Sequence, residues 1–266
     1  MTKQRLDKLL VSLNLCSSRA LAQRLIGAGE VRVNGEIVDK SGTEVKDTAE
    51  ITLKQKPPYV SRGGEKLIKA LETFSIDVGD RICLDGGIST GGFTDCLLQR
   101  GAKRVYGVDV GYGQVAWKIR TCDRVTLLER TNFRYLTADK LYGESPAADL
   151  GVMDLSFISL TKVLQPLWNL LTMPREIVLL VKPQFEVGRE KVGKKGVVRN
   201  AEDRALAILQ VARSAESIGW QYQGLVKSPL KGPAGNVEFL LWLKAGKSSQ
   251  SLQLQKIQNI VGDRSN

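Results

Sequence analysis

The 266-residue chain contains no histidine. This absence excludes hydrolases that use a Ser-His-Asp or Cys-His set, metal sites built on two histidines, and enzymes that move protons through an imidazole. Catalysis by this chain therefore requires carboxylates, amines, hydroxyls or backbone groups.

Long apolar runs are also missing. The longest, residues 177–181, is far shorter than the ~18 apolar residues that a membrane-spanning helix needs. Charged side chains interrupt residues 1–15, so the N-terminus does not have the pattern of a secretory signal peptide. We therefore predict a cytoplasmic protein that does not cross a membrane.

Cysteine is scarce and carries no metal-binding spacing. None of the cysteines stands in a CxxC pattern, and without histidine they make no usual zinc site. We predict small, buried side chains in a reducing compartment, and no bound metal. The four cysteines are Cys16, Cys83, Cys96 and Cys122.

Acidic residues are in the minority. The chain has 39 Lys and Arg against 28 Asp and Glu, a net charge of +11 at pH 7. Residues 1–60 hold ten of the basic and seven of the acidic residues, so most of the excess lies in the remainder of the chain. Such an excess favours a polyanionic partner, and RNA is one.

The first 57 residues have the pattern of a small α+β unit. Leucines at positions 6, 9, 10 and 13 share one helical face, and a second helix begins behind Ser17 or Ser18. Strand patterns flank Asn34-Gly35, a strong hairpin signal, and residues 51–53 fit a last strand.

Basic residues of this unit lie on one side of its second helix. Arg19, Gln23 and Arg24 are spaced for a common face, which is either a solvated surface or an RNA contact. Three stretches resemble the S4-type RNA-binding domain, first known from a ribosomal protein: residues 5–10, 17–20 and 29–35. The resemblance implies that Arg5, Arg19 and Arg24 bind RNA.

Strands and helices alternate after Pro57-Pro58, which marks a domain boundary because proline continues neither a helix nor a central strand. The pattern predicts an α/β fold, a doubly wound, Rossmann-like parallel sheet with helices on both faces. The two last strand patterns suggest an antiparallel strand added at the edge. Apolar runs lie at residues 82–84, 105–108, 125–128, 150–153 and 177–181, the last strand patterns at 222–226 and 237–243, and helical patterns at 91–100, 158–171 and 201–218.

These boundaries divide the chain into four segments. We predict an RNA-binding domain over residues 1–57, a linker over 58–61 and a catalytic domain over 62–245. Residues 246–266 are rich in Ser and Gln and predict a polar, mobile tail.

A glycine-rich turn follows the first strand of the larger domain. Residues 87–91 match the G-x-S-x-G elbow of hydrolases, but the chain has no histidine to complete that site. The dinucleotide pattern G-x-G-x-x-G is not met, because Ser89 stands at its third position. Asp85 and Asp109 favour S-adenosylmethionine (SAM), which has a cationic sulfonium and amino group and a ribose diol. The predicted cofactor-binding residues are Asp85, Gly86, Gly87, Ser89, Gly91, Gly92, Phe93 and Asp109.

Four charged residues lie where predicted strands or helices begin or end. Asp154 follows the run 150–153, and Lys182 follows the run 177–181. Lys66 opens a helix, and Glu238 enters the last strand. Because ligands bind at the carboxyl ends of parallel strands, these side chains together predict a site.

Five stretches resemble the TlyA family of RNA methyltransferases, also called hemolysin-like: residues 61–67, 85–93, 108–114, 153–160 and 180–186. The resemblance implies a class I SAM-dependent methyltransferase domain similar to the FtsJ type. It also implies methylation of cytidine ribose 2′-hydroxyls in small- and large-subunit ribosomal RNA. The FtsJ-type tetrad of lysine, aspartate, lysine and glutamate falls on Lys66, Asp154, Lys182 and Glu238.

The residue types suit methyl transfer to an alcohol, which needs alignment and the loss of a proton. Without histidine, we assign Lys182 as the general base, Lys66 as a positioning group, and both acids as groups that orient the amines. If the two lysines converge, each disfavours the positive charge of the other, as a base requires. Asp154 and Glu238 work against that effect, but they keep the site neutral and fix the amines in place.

A basic, glycine-containing loop over residues 186–199 follows Lys182. It is either a solvated loop or a flexible lid that grips phosphates over the substrate, and its place beside the predicted site favours the lid. The predicted RNA-binding residues of this domain are Arg62, Arg189, Lys191, Lys194 and Lys195.

Two other functions stay open at this point. One is a non-catalytic RNA-binding or ribosome-assembly factor. The other is a membrane-active hemolysin, which no apolar span or long amphipathic helix supports. The predicted partners are ribosomal RNA or ribosomal subunits, with no membrane and no metal, and we expect a monomer.

Overall fold

The structure is a computed structural model, and it describes residues 2–54, 57–246 and 252–262. The chain divides into two compact units, Met1–Pro57 and Pro58–Asn266. The boundary falls between the two prolines, where neither a helix nor a central strand can continue.

The first unit combines two helices with two small sheets. Its elements are β1 (Lys3–Arg5), α1 (Leu6–Ser12), α2 (Arg19–Gly27), β2 (Val31–Val33), β3 (Glu36–Ile37), β4 (Glu44–Lys46) and β5 (Ile51–Leu53). Ser18 caps α2, because its hydroxyl accepts the N–H of Leu21. Asn34 and Gly35 both have positive φ and form the turn between β2 and β3.

The apolar faces of the two helices meet in a small core. Leu6, Leu10, Ala22, Ile26 and Val31 are each fully buried there. The expected fourth leucine of α1 lies outside this core, because the helix ends at Ser12 and leaves Leu13 47% exposed.

The pairing of β1 with β4 was not predicted. The two strands run antiparallel, with Gln4 opposite Val45. Neither strand has an alternating apolar pattern, and only Val45 is buried in this pair, so the sequence carries no strand signal there.

The second unit is built on a seven-stranded sheet. Its strand order is β11-β12-β10-β9-β6-β7-β8, and the strands are β6 (Ile82–Gly86), β7 (Arg104–Val108), β8 (Val125–Leu128), β9 (Leu150–Met153), β10 (Glu176–Val181), β11 (Trp220–Lys227) and β12 (Phe239–Ala245). The helices are α3 (Gly63–Thr73), α4 (Gly92–Gln99), α5 (Trp117–Arg120), α6 (Ala138–Tyr142), α7 (Leu164–Leu170), α8 (Pro183–Glu186), α9 (Ala201–Glu216) and α10 (Leu254–Gly262).

The five predicted parallel strands are present, with helices on both faces of the sheet. β8, β7, β6, β9 and β10 pair in parallel in that order. One apolar cluster on the sheet includes residues of α7, α9 and α10, and a second includes residues of α3, α4 and α5. This is the doubly wound α/β architecture.

The position of the antiparallel strand differs from the prediction. β12 lies inside the sheet between β10 and β11, antiparallel to both, and β11 forms the edge. The residues explain this order. β12 is nearly continuously apolar, as a strand covered on both faces must be, whereas β11 alternates Trp220, Gln221, Tyr222 and Gln223.

The segment predicted to be a polar, mobile tail contains a helix. In α10, Ile257 and Val261 are buried, and they lie on one face, four residues apart. The helix packs against α9 and β11. The Ser and Gln content of this segment hid its apolar spacing.

No helix in the described part of the chain is long and apolar enough to span a membrane.

A partly buried polar network ties together the edge of the sheet at which the parallel strands begin. Arg81 donates from Nε to Asp149 Oδ1 at 2.7 Å, and its Nη1 forms an ion pair with Glu176. The other oxygen of Glu176 accepts the indole N–H of Trp242 at 2.8 Å. The network therefore joins the starts of β6, β9 and β10 to β12.

Removing one member of such a network leaves the other charges buried and unpaired. We expect Arg81→Ala to lower the free energy of unfolding by about 3 kcal/mol, because the side chain of Glu176 is only 6% exposed. Arg100→Ala is the matched control, since its ion pair with Glu72 is exposed, and we expect a loss of at most ~1 kcal/mol. Urea denaturation followed by circular dichroism measures both, and equal losses contradict the prediction.

Candidate active site

The predicted site residues gather at one edge of the seven-stranded sheet. Asp154 directly follows β9 and Lys182 directly follows β10, so both lie at the carboxyl ends of parallel strands. β12 is antiparallel and therefore begins at this same edge, which brings Glu238, the residue before it, to the site. Lys66 comes from the first half of α3.

The four residues form two amine–carboxylate pairs. Lys66 Nζ lies 2.6 Å from Glu238 Oε2, and Lys182 Nζ lies 2.7 Å from Asp154 Oδ1. Lys182 Nζ also donates to Ser156 Oγ at 2.8 Å. Lys66, Lys182 and Glu238 are 9%, 8% and 1% exposed, and charges so deeply buried require such partners.

Each of the two lysines faces its own carboxylate, and the two ion pairs hold both Nζ atoms in place.

Two adjoining clefts meet at the glycine turn, and both are lined by Gly87, Ser89 and Asp154. We call the first the Lys66 cleft and the second the Asp109 cleft. Other residues lining the Lys66 cleft are Ser61, Arg62, Gly63, Lys66, Ile88, Thr90, Gly92, Phe93, Leu230, Lys231 and Pro233. Other residues lining the Asp109 cleft are Val108, Asp109, Val110, Gln114, Thr131, Phe133, Leu155, Ser156 and Phe157.

The glycines of the turn are required by close backbone packing. Gly87 has a φ of +83°, and a Cβ there would lie 2.7 Å from the carbonyl oxygen of Asp154. A Cβ on Gly92 would lie 2.2 Å from Ser61 Oγ. Gly91 caps α4 in the left-handed conformation. A side chain at Gly87 or Gly92 would thus collide with the residues that shape the two clefts.

Asp85 lies beneath this turn and is fully buried. Its Oδ2 accepts the hydroxyl of Thr94 at 2.7 Å, and its Oδ1 has no hydrogen-bond partner among the described residues. Burial raises the pKa of Asp85 to about 7, and the nearby charges of Asp154 and Asp109 add to the rise. Phe93 is 3% exposed and packs in the apolar cluster with α3 and α5.

Asp109 follows β7 and is half-buried at the Asp109 cleft. Its Oδ2 accepts the N–H of Ser89 at 2.8 Å, and its Oδ1 accepts the N–H of Gly111 at 2.7 Å. Each oxygen keeps a further lone pair for a ligand. The carboxylate therefore fixes the glycine turn and faces the cleft at the same time.

Two residues of the loop after β9 had no predicted role. Ser156 hydrogen-bonds Lys182 as described above. Phe157 has a left-handed φ of +65°, is 91% exposed, and lies with its ring centroid 5.3 Å from that of Phe185. Both residues stand in the stretch 153–160 that resembles the TlyA family, and that resemblance was the one signal for them.

Glu186 accepts hydrogen bonds from the loop after β9, and it also had no predicted role. Its carboxylate accepts the hydroxyl of Ser159 at 2.6 Å and the N–H of Leu160 at 2.8 Å. Burial raises the pKa of Glu186. Glu186 stands in the stretch 180–186 that resembles the TlyA family, and that resemblance was the one signal for it.

The predicted RNA-binding residues of the larger unit lie in two places. Arg62 lines the Lys66 cleft. Arg189, Lys191, Lys194 and Lys195 are exposed on two short 3-10 turns, Arg189–Lys191 and Lys194–Gly196.

The basic loop was expected to be a flexible lid, and the structure ties it to the loop before β12. Asn236 accepts the N–H of Val198 at 2.9 Å and donates to the carbonyl of Gly196 at 2.7 Å. Lys191 also pairs with Asp203 at 2.9 Å. These bonds give the basic loop a defined conformation. They hold it against Asn236, which stands two residues before Glu238.

In the first unit, Arg5 and Arg19 converge on one carboxylate. Asp7 is fully buried and accepts from Arg5 at 3.0 and 3.1 Å, from Arg19 at 2.8 Å and from Gln23 at 2.8 Å. The guanidinium of Arg5 and these other donors hold the pKa of Asp7 well below its usual range, although burial opposes them. Arg24 lies on α2, the helix of Arg19, and is exposed.

No group of three or more Cys, Asp or Glu side chains in the described residues is arranged to hold a metal ion. Three of the cysteines are buried and Cys122 is half-buried, each as a free thiol.

Two family models match the chain. The model of the FtsJ-like methyltransferases matches residues 59–245, and the model of the S4 domain matches residues 4–51. Together they cover both units.

Proteins similar over nearly the whole chain include one named as an rRNA methyltransferase and two named as hemolysins. The 16S/23S rRNA (cytidine-2′-O)-methyltransferase TlyA of Mycobacterium tuberculosis is 48% identical over 97% of this chain and 96% of its own. Hemolysin A of Brachyspira hyodysenteriae is 41% identical over 89% of this chain and 98% of its own. A solved structure of a protein described as a hemolysin, from Streptococcus thermophilus, has a TM-score of 0.74 and 42% identity, covering 98% of this chain and 95% of that one. The chain therefore belongs to the FtsJ-like methyltransferases, in the TlyA family that joins this domain to an N-terminal S4 domain.

Proposed function

We propose that the chain methylates the ribose 2′-hydroxyl of a cytidine in ribosomal RNA, with SAM as the methyl donor. The observation that carries the proposal is the set of two buried lysines, each held by a carboxylate, beside the glycine turn. The 48% identity to a 16S/23S rRNA cytidine-2′-O-methyltransferase supports this substrate, and the S4 domain supports an RNA partner. We infer that the protein acts in the cytoplasm, where ribosomes are, as a monomer without a metal.

The Asp109 cleft has the chemistry that SAM requires. Val108, Phe133 and Leu155 offer apolar walls for an adenine, and the Asp109 carboxylate can accept from a ribose diol. Gly87 and Ser89, shared with the Lys66 cleft, lie where the two clefts meet. When bound, SAM supplies an electrophilic methyl group carried on its sulfonium.

Lys182 is the proposed general base. It must enter the reaction as a neutral amine, after its proton has left for solvent, and it then takes the proton of the attacking 2′-hydroxyl on Nζ. Asp154 and Ser156 fix that nitrogen and stabilise the ammonium that forms. The site contains no histidine that could compete for this role.

Lys66 and Glu238 have a different role in this proposal. Their ion pair stays intact, and the Lys66 ammonium adds a fixed positive charge beside the developing alkoxide. Arg62, on the wall of the same cleft, is placed to contact the RNA backbone.

The other candidate functions receive less support. A non-catalytic RNA-binding factor does not need two buried lysine–carboxylate pairs, which are costly to desolvate. A membrane-lysing role rests on the hemolysin names of relatives, and no described helix is suited to span a bilayer. Binding of SAM by the wild-type protein without any transfer to ribosomal subunits would favour the first alternative. Liposome leakage would favour the second.

Replacing the proposed base separates chemistry from cofactor binding. We expect Lys182→Ala to lower the rate of methyl transfer by at least ~100-fold, the usual contribution of a general base, while SAM affinity survives. The assay is tritiated SAM with isolated ribosomal subunits, followed by nuclease digestion to identify the labelled nucleoside, and calorimetry measures SAM binding. Lys103→Ala, at an exposed position outside both clefts, is the control. Retained turnover in Lys182→Ala, or label on a base instead of a ribose, contradicts the mechanism.

Phe157 offers an exposed aromatic face and directly follows Ser156, the hydrogen-bond partner of Lys182. An unpaired base stacks on such faces. We expect Phe157→Ala to lower kcat/KM for ribosomal subunits by roughly 5- to 150-fold, the range that corresponds to the stacking of one base. The free energy of unfolding should stay unchanged, because the ring is solvent-exposed. SAM affinity is measured alongside, since Phe157 also lines the Asp109 cleft. Phe157→Tyr keeps the aromatic face and should keep activity. Full activity of the alanine variant contradicts the stacking role.

Asp85 makes stability depend on pH in the cofactor-free protein. Its pKa is raised by burial, so the folded state holds this proton up to about pH 7 while the unfolded chain releases it near 4. We expect the free energy of unfolding to fall by several kcal/mol more in the wild type than in Asp85→Asn as the pH rises from 4 to 8. Asparagine keeps an oxygen acceptor for Thr94. Parallel urea titrations across this range test the difference, and superimposable pH profiles for the two proteins disprove it.

A further inference from the structure

A cavity with three lysines opens beside the proposed active site and has no role in the mechanism above. Lys69 lies on α3, one turn beyond Lys66. Lys227 ends β11, and Lys231 lies on the loop between β11 and β12. The remaining lining residues are Ser228, Pro229, Leu230 and Val237.

This cavity, which we call the lysine cavity, continues from the Lys66 cleft. Leu230 and Lys231 line both. The same loop leads into Glu238, whose carboxylate holds Lys66, so the two spaces share a wall that is fixed at the proposed catalytic pair. A strand of RNA with its target ribose in the Lys66 cleft can therefore reach the lysine cavity with a neighbouring nucleotide.

The loop that carries Lys231 has a fixed shape. Ser228 Oγ donates to the carbonyl of Leu230 at 2.8 Å, and the N–H of Gly232 donates to the carbonyl of Asn236 at 2.9 Å. A Cβ on Gly232 would lie 2.5 Å from Glu238 Oε1, which keeps this turn tight against the site. The backbone at Lys231 is thus held in place before any ligand binds.

None of the residues that line the lysine cavity is acidic. Lys69 and Lys231 are exposed and form no ion pair with any residue in the described part of the chain, and Glu65, one turn before Lys69, makes none with it. Cations placed together in a concave surface repel each other and favour a polyanion.

We propose that Lys69 and Lys231 bind the phosphate of a nucleotide that flanks the methylated one. This inference rests on the proposed function, because it takes the RNA strand as the occupant. Lysines act as compact point charges, so this contact positions the backbone and does not read a base. It would fix which ribose along the strand faces Lys182.

The test measures binding as well as turnover. In the double variant Lys69→Gln/Lys231→Gln, we expect affinity for ribosomal subunits to fall roughly ten-fold at low salt. The slope of log K against log salt should become shallower by about 0.7 for each phosphate of a single strand that the variant no longer neutralises. SAM affinity should stay unchanged, because neither lysine lines the Asp109 cleft.

Two matched variants keep the result interpretable. Lys103→Gln/Lys140→Gln removes two exposed lysines that line neither cleft nor the lysine cavity, and it should change affinity little. Lys69→Arg/Lys231→Arg keeps the charge and should restore binding. An unchanged salt slope in Lys69→Gln/Lys231→Gln, or an arginine variant that binds as weakly as the glutamine one, overturns the phosphate site. If the wild type transfers no methyl group, the proposed function fails, while the binding measurement still decides on the lysine cavity.

Discussion

The hydrogen-bonded register between β10 and β12 determines the geometry of the site. Val181 pairs with Phe239, so the residue after one and the residue before the other, Lys182 and Glu238, lie at the same sheet edge. A slip by one residue would turn the side chains of β12 to the opposite faces. The pairing of Glu238 with Lys66, and the course of the loop before β12, both follow from this register.

Both ends of the sheet carry buried ion pairs, and they differ in what surrounds them. At the end where the parallel strands begin, Arg81 is enclosed between Asp149 and Glu176 and borders none of the clefts described above. At the other end, Lys66 and Asp154 border open clefts. The first network joins strands and serves the fold. The second keeps charged groups desolvated next to a space that a ligand can enter, which a hydrophobic replacement could not do.

The sequence was informative where residues act through local pattern. Continuous apolar runs identified the five parallel strands, and the glycines of residues 85–92 identified the turn after β6, because both signals lie within one short segment. The tetrad of Lys66, Asp154, Lys182 and Glu238 came from a family resemblance, since strand-end charges alone are common.

Features that depend on distant residues were not predictable in this way. The order of β11 and β12 is decided by which strand can be covered on both faces, and the acid that each lysine meets is decided by register. α10 was not predicted, because its buried residues Ile257 and Val261 stand among polar residues. The lysine cavity joins α3 to a loop more than 150 positions later in the sequence, and no local pattern connects them.

The cluster around Asp7 has a consequence for the entropy of binding by the S4 domain. Long arginine side chains lose rotamer freedom when they grip a ligand, and that loss weakens association. Arg5 and Arg19 are already restrained by a buried carboxylate, so much of this ordering occurs during folding. Their side chains are still 42% and 51% exposed, which leaves N–H groups free to face outwards. A unit with a small core can thus present a rigid, directional pair of cations to whatever anion it meets.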